Sequence, residues 1–100
     1  MSTDAKSLEV KHNREQNRFE IDLGGGKLAV AEYRLRQQVY IFTHTEVPPE
    51  FGGQGIANHL AKAALESVQA EGFKVLPLCP FIKAYIARHA EYQPLVAETA

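Results

Sequence analysis

Residues 44–60 read HTEVPPEFGGQGIANHL and join an apolar strand to an amphipathic helix through a run of glycines. The small residues Gly53, Gly55 and Ala57 permit a tight turn, and the first free N–H groups of a helix, together with its dipole, favour a negative charge. The segment therefore has the form of an anion-binding loop that would accommodate a pyrophosphate. A Gly-x-Gly before a helix also fits a loop whose glycines only shape the turn, and both interpretations stay open here.

The composition is that of one domain without a general attraction to polyanions. A chain of 100 residues with 45% hydrophobic residues can form one compact core but not two ordinary domains. We expect a single domain over residues 1–100, with residues 1–6 and 97–100 flexible. A formal net charge of -1 excludes a global preference for nucleic acid or for an anionic membrane surface.

Other features of the sequence concern the cellular location of the protein, its oligomeric state and metal binding. The N-terminus lacks the apolar core of a signal peptide, and no apolar run approaches the roughly 20 residues of a membrane helix, so we expect a cytoplasmic protein. We expect it to be a monomer or a weak dimer. The only cysteine is Cys79, and the four histidines show no ligand spacing, so neither a disulfide nor a metal site is predicted.

Alternating apolar and polar residues predict four strands before the glycine-rich loop, at residues 8–11, 18–23, 27–35 and 39–45. The polar residues 12–17 are expected to form the first turn, and Gly24-Gly25-Gly26 the second. The fourth strand begins apolar on both faces, which is typical of a strand inside a sheet.

Helical periodicity follows the glycines. Apolar residues recur at helical spacing over 56–68, and Gly72 is placed to end that helix. Residues 75–79 form a short apolar strand, expected to run parallel to the fourth strand because a long helix separates them. Pro77 cannot donate to a ladder, so a gap between these parallel strands is expected, and Pro80 begins a second helix. The fold class is α/β: a mixed, mostly antiparallel sheet of five strands, two main helices and a splayed parallel pair.

This order of elements resembles the GNAT acetyltransferases, whose pyrophosphate turn reads Arg/Gln-x-x-Gly-x-Gly/Ala. The corresponding segment here is residues 52–57, GGQGIA, with Gly52 at the position of the usual arginine or glutamine. The segments HTEVP at 44–48, LAKAAL at 60–65 and CPFI at 79–82 are similar to a small, roughly hundred-residue GNAT-like family of YjdJ-type bacterial proteins. The resemblance extends from about Leu8 to Val96.

The resemblance implies that acetyl-coenzyme A, as co-substrate, binds in the opening between the two parallel strands. The pantetheine arm would lie beside the end of the fourth strand, and the pyrophosphate on the backbone amides of the turn and the helix start. The implied cofactor-binding residues are Thr45, Val47, Gly53, Gln54, Gly55, Ile56, Ala57 and Asn58.

Cys79 is the candidate nucleophile. It ends an apolar strand immediately before a helix start, where the helix dipole favours the thiolate. In the small family the cysteine at this place is the candidate catalytic residue, and Cys79 matches it. The alternative is that Cys79 is a small buried hydrophobic residue.

His44 and Glu46 are the candidate bases. Strict alternation would place Phe42, His44 and Glu46 on one side of the fourth strand, aimed at the same opening. An attacking amine must be neutral, and either side chain could accept its proton. The alternative is that His44 packs on the loop and Glu46 is a solvated strand end.

Three functions remain open at this level. The first is an acetyltransferase that acts on an unidentified amine, either by direct attack on the thioester or through an acyl-enzyme on Cys79. The second is a non-catalytic sensor or interaction module that binds coenzyme A or acyl-coenzyme A. The third is a small interaction domain whose glycine turn binds nothing.

Overall fold

The computed structural model describes residues 8–97. Five strands and two α-helices follow one another along the chain: β1 (Lys11–Asn13), β2 (Arg18–Gly24), β3 (Lys27–Arg36), β4 (Val39–Glu46), α1 (Ile56–Glu71), β5 (Lys74–Pro77) and α2 (Pro80–Arg88). Short 3-10 helices occupy Pro49–Phe51 and Ala90–Leu95. Of the ends expected to be flexible, only Ala97 lies within the described residues, and its N–H donates to the Val75 carbonyl at 2.8 Å.

The strands form one sheet in the order β1-β2-β3-β4-β5. The first four strands pair antiparallel, and β4 pairs with β5 in parallel. Helix α1 provides the long connection that parallel neighbours require. The expected mixed sheet with one parallel strand pair is confirmed.

Both helices pack on one face of the sheet, which we call the inner face; within residues 8–97 the opposite, outer face carries no helix. The inner face and the helices share one continuous core, in which alanines on β3 and α1 allow close approach. Its residues on the sheet are Phe19, Ile21, Ala29, Ala31, Tyr33, Tyr40, Phe42 and Val75, and those on the helices are Ile56, Leu60, Ala61, Ala64, Leu65, Val68, Ile82, Tyr85 and Ile86.

The first strand lies further along the chain than its alternation indicates. Residues 8–11 were the expected strand, but only Lys11 belongs to β1, and the polar residues His12 and Asn13 form the rest of it. His12 pairs with Phe19 and stacks its ring on that phenyl group at a centroid distance of 4.0 Å. Its Nε2 also lies 2.6 Å from the Tyr33 hydroxyl. The stacking and the hydrogen bond together explain why a polar residue can occupy this strand position.

The strand ends around the glycines agree with the predicted turn chemistry. Gly24 pairs with Lys27 across the β2–β3 turn. Gly72 ends α1 in the left-handed conformation, with φ of 77°, and its N–H donates to the carbonyls of Val68 and Gln69. No helix within residues 8–97 has the length and hydropathy that crossing a membrane requires.

Candidate functional site

The site begins where β4 and β5 separate. Their ladder ends at the pair Phe42 and Pro77, since proline has no N–H to continue it. The Phe42 carbonyl accepts the N–H groups of Leu78 at 3.0 Å and Cys79 at 2.9 Å, which closes the shared edge. The expected strand at 75–79 is therefore shorter, and Cys79 is instead the N-cap residue of α2. Beyond Phe42, β3 is the only strand of the described residues that pairs with β4, which leaves an open edge at residues 43–46.

A β-bulge at Thr43 decides which side chains of β4 point inward. Phe42 pairs with Tyr33 and His44 with Glu32; because Tyr33 and Glu32 are consecutive, Thr43 is an extra residue without a partner of its own on β3. Thr45 then pairs with the buried Ala31. Because paired residues share a face of the sheet, Thr45 joins Phe42 on the inner face.

His44 and Glu46 consequently lie on the outer face, and the expectation that they share a face with Phe42 is wrong. Strict alternation fails here because the extra residue exchanges the two faces for everything after it. Both side chains are exposed, with 55% and 68% of their surfaces accessible, and His44 Nε2 lies 3.8 Å from Glu46 Oε1. The structure thus brings these two residues together but separates them from Cys79.

Cys79 meets Thr45 across the open edge. The thiol Sγ and the Thr45 hydroxyl Oγ1 are 3.2 Å apart, within hydrogen-bond distance for sulfur. Cys79 is buried, with 4% of its surface exposed, and Thr45 is half-buried. Cys79 is the N-cap residue of α2, and its carbonyl accepts a hydrogen bond from the Lys83 N–H at 3.0 Å. Its side chain makes no capping hydrogen bond to the helix. The thiol is therefore held at the positive end of α2 beside a hydroxyl group.

A cleft of about 210 Å³ adjoins this edge; we call it the turn cleft. It lies between the loop after β4, the start of α1 and the first turn of α2. Its lining residues are Val47, Phe51, Gly52, Gly53, Gly55, Ile56, Ala57, Asn58 and Phe81. The structure thus collects Val47, Gly53, Gly55, Ile56, Ala57 and Asn58 of the expected cofactor residues, while Thr45 and Gln54 lie outside the lining.

The start of α1 supplies the electrostatic character of the turn cleft. Gly55 is the N-cap with φ of 73°, a left-handed conformation that glycine adopts without strain. Among residues 8–97 no side chain caps the start of the helix, and its first turn holds no acidic residue. Because the first N–H groups of a helix have no intrahelical partner, the amides of Ile56, Ala57 and Asn58 are left as donors beside the cleft.

Gly52 stands where the pyrophosphate motif usually carries arginine or glutamine, and a side chain there would be crowded. Its N–H donates to the Pro49 carbonyl, closing the 3-10 turn Pro49–Phe51. A Cβ on Gly52 would lie 3.3 Å from that carbonyl oxygen, tighter than ordinary contact. This position therefore brings no side-chain donor to the cleft.

Phe51 and Phe81 are lining residues that the sequence did not indicate as site residues. Phe81, in the first turn of α2, is only partly buried and forms one wall of the cleft. Phe51 is the last residue of the 3-10 turn that begins at Pro49, and its side chain also lines the turn cleft. His59, on the next turn of α1, donates from Nε2 to the Leu8 carbonyl at 2.8 Å and thus holds the N-terminal segment.

A mixed sheet whose parallel pair opens beside a glycine turn and a bare helix N-terminus defines the GNAT class of acetyltransferase folds. A family model described as GCN5-related N-acetyl-transferase matches residues 18–95 of the chain. The chain belongs to this family.

Individual relatives agree with this assignment. Protein NATD1 of Xenopus tropicalis is 38% identical over 85 residues, covering 82% of this chain and 77% of its own length. Protein NATD1 of Homo sapiens is 37% identical over 82 residues, covering 79% and 72%. The solution structure of a GCN5-like putative N-acetyltransferase from Staphylococcus aureus superposes with a TM-score of 0.70 at 32% identity, covering 90% of this chain and 88% of that one.

Proposed function

We propose that this protein is an N-acetyltransferase that moves an acetyl group from acetyl-coenzyme A to an amine acceptor, through an acetyl thioester on Cys79. The observation that carries the proposal is the turn cleft, which has the uncapped amides of α1 on one side and, on the other, the first turn of α2, whose N-cap residue is Cys79. Membership of the GNAT family supports acetyl-coenzyme A as the ligand.

In this proposal the coenzyme lies with its pyrophosphate on the amides at Gly53 to Asn58 and its pantetheine arm beside residues Thr45 to Val47. A volume of about 210 Å³ is below the roughly 300–1,000 Å³ of pockets that enclose a whole ligand. We therefore expect the cleft to enclose the pyrophosphate and the start of the pantetheine arm, with the adenosine at the surface.

The proposed reaction has two steps. The Cys79 Sγ, as thiolate, forms a bond to the thioester carbonyl carbon, and the bond from that carbon to the coenzyme sulfur breaks. The electron pair leaves with coenzyme A, whose sulfur takes up a proton equivalent to the one that the Cys79 thiol released to solvent. A neutral amine then attacks the acetyl-cysteine carbonyl and releases the Cys79 thiolate. The proton that the amine loses passes to solvent in this proposal, because His44 and Glu46, the expected bases, lie on the outer face away from the thiol.

A second candidate is a binding module for coenzyme A or acyl-coenzyme A that has no turnover. The observation in its favour is the separation of His44 and Glu46 from the thiol by the sheet itself. Among residues 8–97 the hydrogen-bond partner of the thiol is a neutral hydroxyl rather than a base.

Intact-protein mass spectrometry and calorimetry decide between these candidates. The protein is incubated with acetyl-coenzyme A without acceptor, and we expect one acetyl group on Cys79, a matching burst of free coenzyme A, and neither in Cys79→Ser. Tight binding of acetyl-coenzyme A without adduct or turnover would favour the binding module. Full transferase activity in Cys79→Ala would eliminate the covalent route, and no binding at all would eliminate both candidates.

A further inference from the structure

We infer that Thr45 is a positioning residue for Cys79: its hydroxyl orients the thiol in the resting protein and donates a hydrogen bond to the thiolate that attacks the acetyl thioester. The inference rests on the proposed function of Cys79. It concerns a residue that would otherwise be regarded only as a neighbour of the pantetheine arm.

The backbone fixes the two residues against each other independently of the side-chain contact. Cys79 is anchored by its N–H on the Phe42 carbonyl, 2.9 Å away, and by its own carbonyl at the start of α2. Thr45 is anchored by its pairing with Ala31 on β3. Because both anchors belong to regular elements, the 3.2 Å contact between Oγ1 and Sγ brings together residues 34 positions apart on a rigid frame.

The bulge at Thr43 is what makes Thr45 the partner of Cys79. Without an inserted residue, alternation would direct His44 inward and Thr45 outward. The structure instead directs the hydroxyl to the sulfur and the imidazole to the outer face. Unlike an imidazole, a hydroxyl beside the thiol stays neutral through the working pH range. It can also both donate and accept a hydrogen bond.

The contact has a clear direction once the thiol ionises. While the thiol is neutral, either atom can be the donor. The thiolate can only accept, so Thr45 Oγ1–H then donates to Sγ, and a hydrogen bond to an ionised partner is stronger than one between neutral groups. The hydroxyl therefore favours the reactive form of Cys79 as well as its orientation.

Thr45→Val tests this because valine has nearly the shape of threonine without the hydroxyl. The chain has one cysteine, so labelling with [3-13C]cysteine gives a single NMR signal that reports ionisation of Cys79 against pH. We expect the ionisation midpoint to rise by about one pH unit in Thr45→Val. The rate of acetylation by acetyl-coenzyme A at pH 7 should fall severalfold, because the greater nucleophilicity of the variant's thiolate offsets only part of the loss of thiolate.

Two variants control the measurement. Thr45→Ser keeps a hydroxyl and should restore most of the parent midpoint. Thr43→Val makes the same chemical change two residues away, at the exposed bulge, and should leave the midpoint unchanged. If Thr45→Val does not fold, Thr45→Ala replaces it in the comparison with Thr45→Ser.

Failure of this inference can be told apart from failure of the proposed function. An equal midpoint in the parent and Thr45→Val, with acetylation of both, would overturn the role of Thr45 and leave the acyl-enzyme intact. A raised midpoint in Thr45→Val, restored in Thr45→Ser, supports the role of Thr45 even if acetyl-coenzyme A fails to acetylate the parent, an outcome that would count against the proposed function alone.

Discussion

At the scale of single residues, a substitution at Asn58 should change the stability of the fold and the binding of an anion in opposite directions. Asn58 is exposed in the first turn of α1, which has no acidic residue and no side-chain cap. A carboxylate there should stabilise the helix through the dipole by about 0.3–1 kcal/mol. The same carboxylate would repel a bound pyrophosphate, at a cost of about 1–4 kcal/mol for two charges roughly 4 Å apart.

Asn58→Asp is therefore expected to raise the melting temperature by a few degrees and to weaken binding of acetyl-coenzyme A about tenfold or more. Thermal unfolding and calorimetric titration measure the two effects on one sample. Gln16→Glu is the matched control, because it adds the same negative charge far from the start of α1. Its neighbour Arg14, two residues earlier, contacts Glu71 at the other end of that helix. Unchanged affinity in Asn58→Asp would show that the helix start is not the anion site.

At the scale of elements, the bulge in β4 is the feature that shapes the open edge. A bulge bends its strand, and the one at Thr43 lies immediately after the last residue that pairs with β5. Deleting Thr43 restores an uninterrupted register with β3, with Phe42 opposite Tyr33 and His44 opposite Glu32. We expect the deletion variant to fold and to lose most of its affinity for acetyl-coenzyme A, because β4 would straighten toward β5.

The length-preserving substitution Thr43→Ala is the control for that deletion. It should bind like the parent, since the Thr43 side chain is exposed and donates only a long hydrogen bond of 3.4 Å to the Glu32 carbonyl. Amide NMR spectra establish that both variants are folded, and titration calorimetry compares them. Equal affinities would mean that the bulge does not create the cofactor opening.

The first hairpin introduces a pH-dependent contribution to stability. Burial lowers the pKa of His12 below its ordinary value of 6.5, and the nearby Arg14 lowers it further, while Glu71 opposes the shift. The unfolded chain therefore takes up this proton first as the pH falls, so the contribution is complete above about pH 6.5 and is lost between that value and the lower folded-state pKa. The free energy of unfolding should decline over this window.

Urea denaturation at a series of pH values measures that decline in the free energy of unfolding, and two variants test whether His12 is its source. His12→Phe keeps an aromatic ring against Phe19 but cannot titrate, so its decline should be smaller. Tyr33→Phe removes the hydroxyl 2.6 Å from His12 and should lower stability by about 1 kcal/mol while keeping the pH dependence, because burial is the main cause of the shift. An unaltered slope in His12→Phe would assign the pH dependence to other groups.

The elements also show what could be predicted from the chain and what could not. Alternation in β2 and β3, helical periodicity in α1 and the stop at Gly72 are local patterns, and the structure agrees with them. The glycine turn was likewise visible, because its chemistry belongs to the backbone of a few consecutive residues. The bulge at Thr43 arises from the register of two strands, which alternation within one strand does not reveal. For the same reason the Thr45–Cys79 contact could not be predicted, whereas each residue alone was a candidate.

At the scale of the whole molecule, one core supports both the fold and the site. The residues at the start of α1 line the turn cleft, while Leu60, Leu65 and Val68 on the same helix are fully buried in the core. A chain of this size has a stability of only about 5–15 kcal/mol. A ligand that binds the folded state alone must then stabilise the entire molecule and not only the cleft.

Leu65→Ala provides the final prediction, because it removes core volume at a residue that does not line the cleft. Loss of a buried leucine side chain typically costs about 2–5 kcal/mol, so the variant should melt well below the parent. Acetyl-coenzyme A at about 100 times its dissociation constant should return about 2.7 kcal/mol to the parent and to the variant alike. Thermal unfolding with increasing acetyl-coenzyme A measures both gains; a gain in neither would show that the cleft does not bind it, and a gain in the parent alone would show that Leu65 supports the cleft directly.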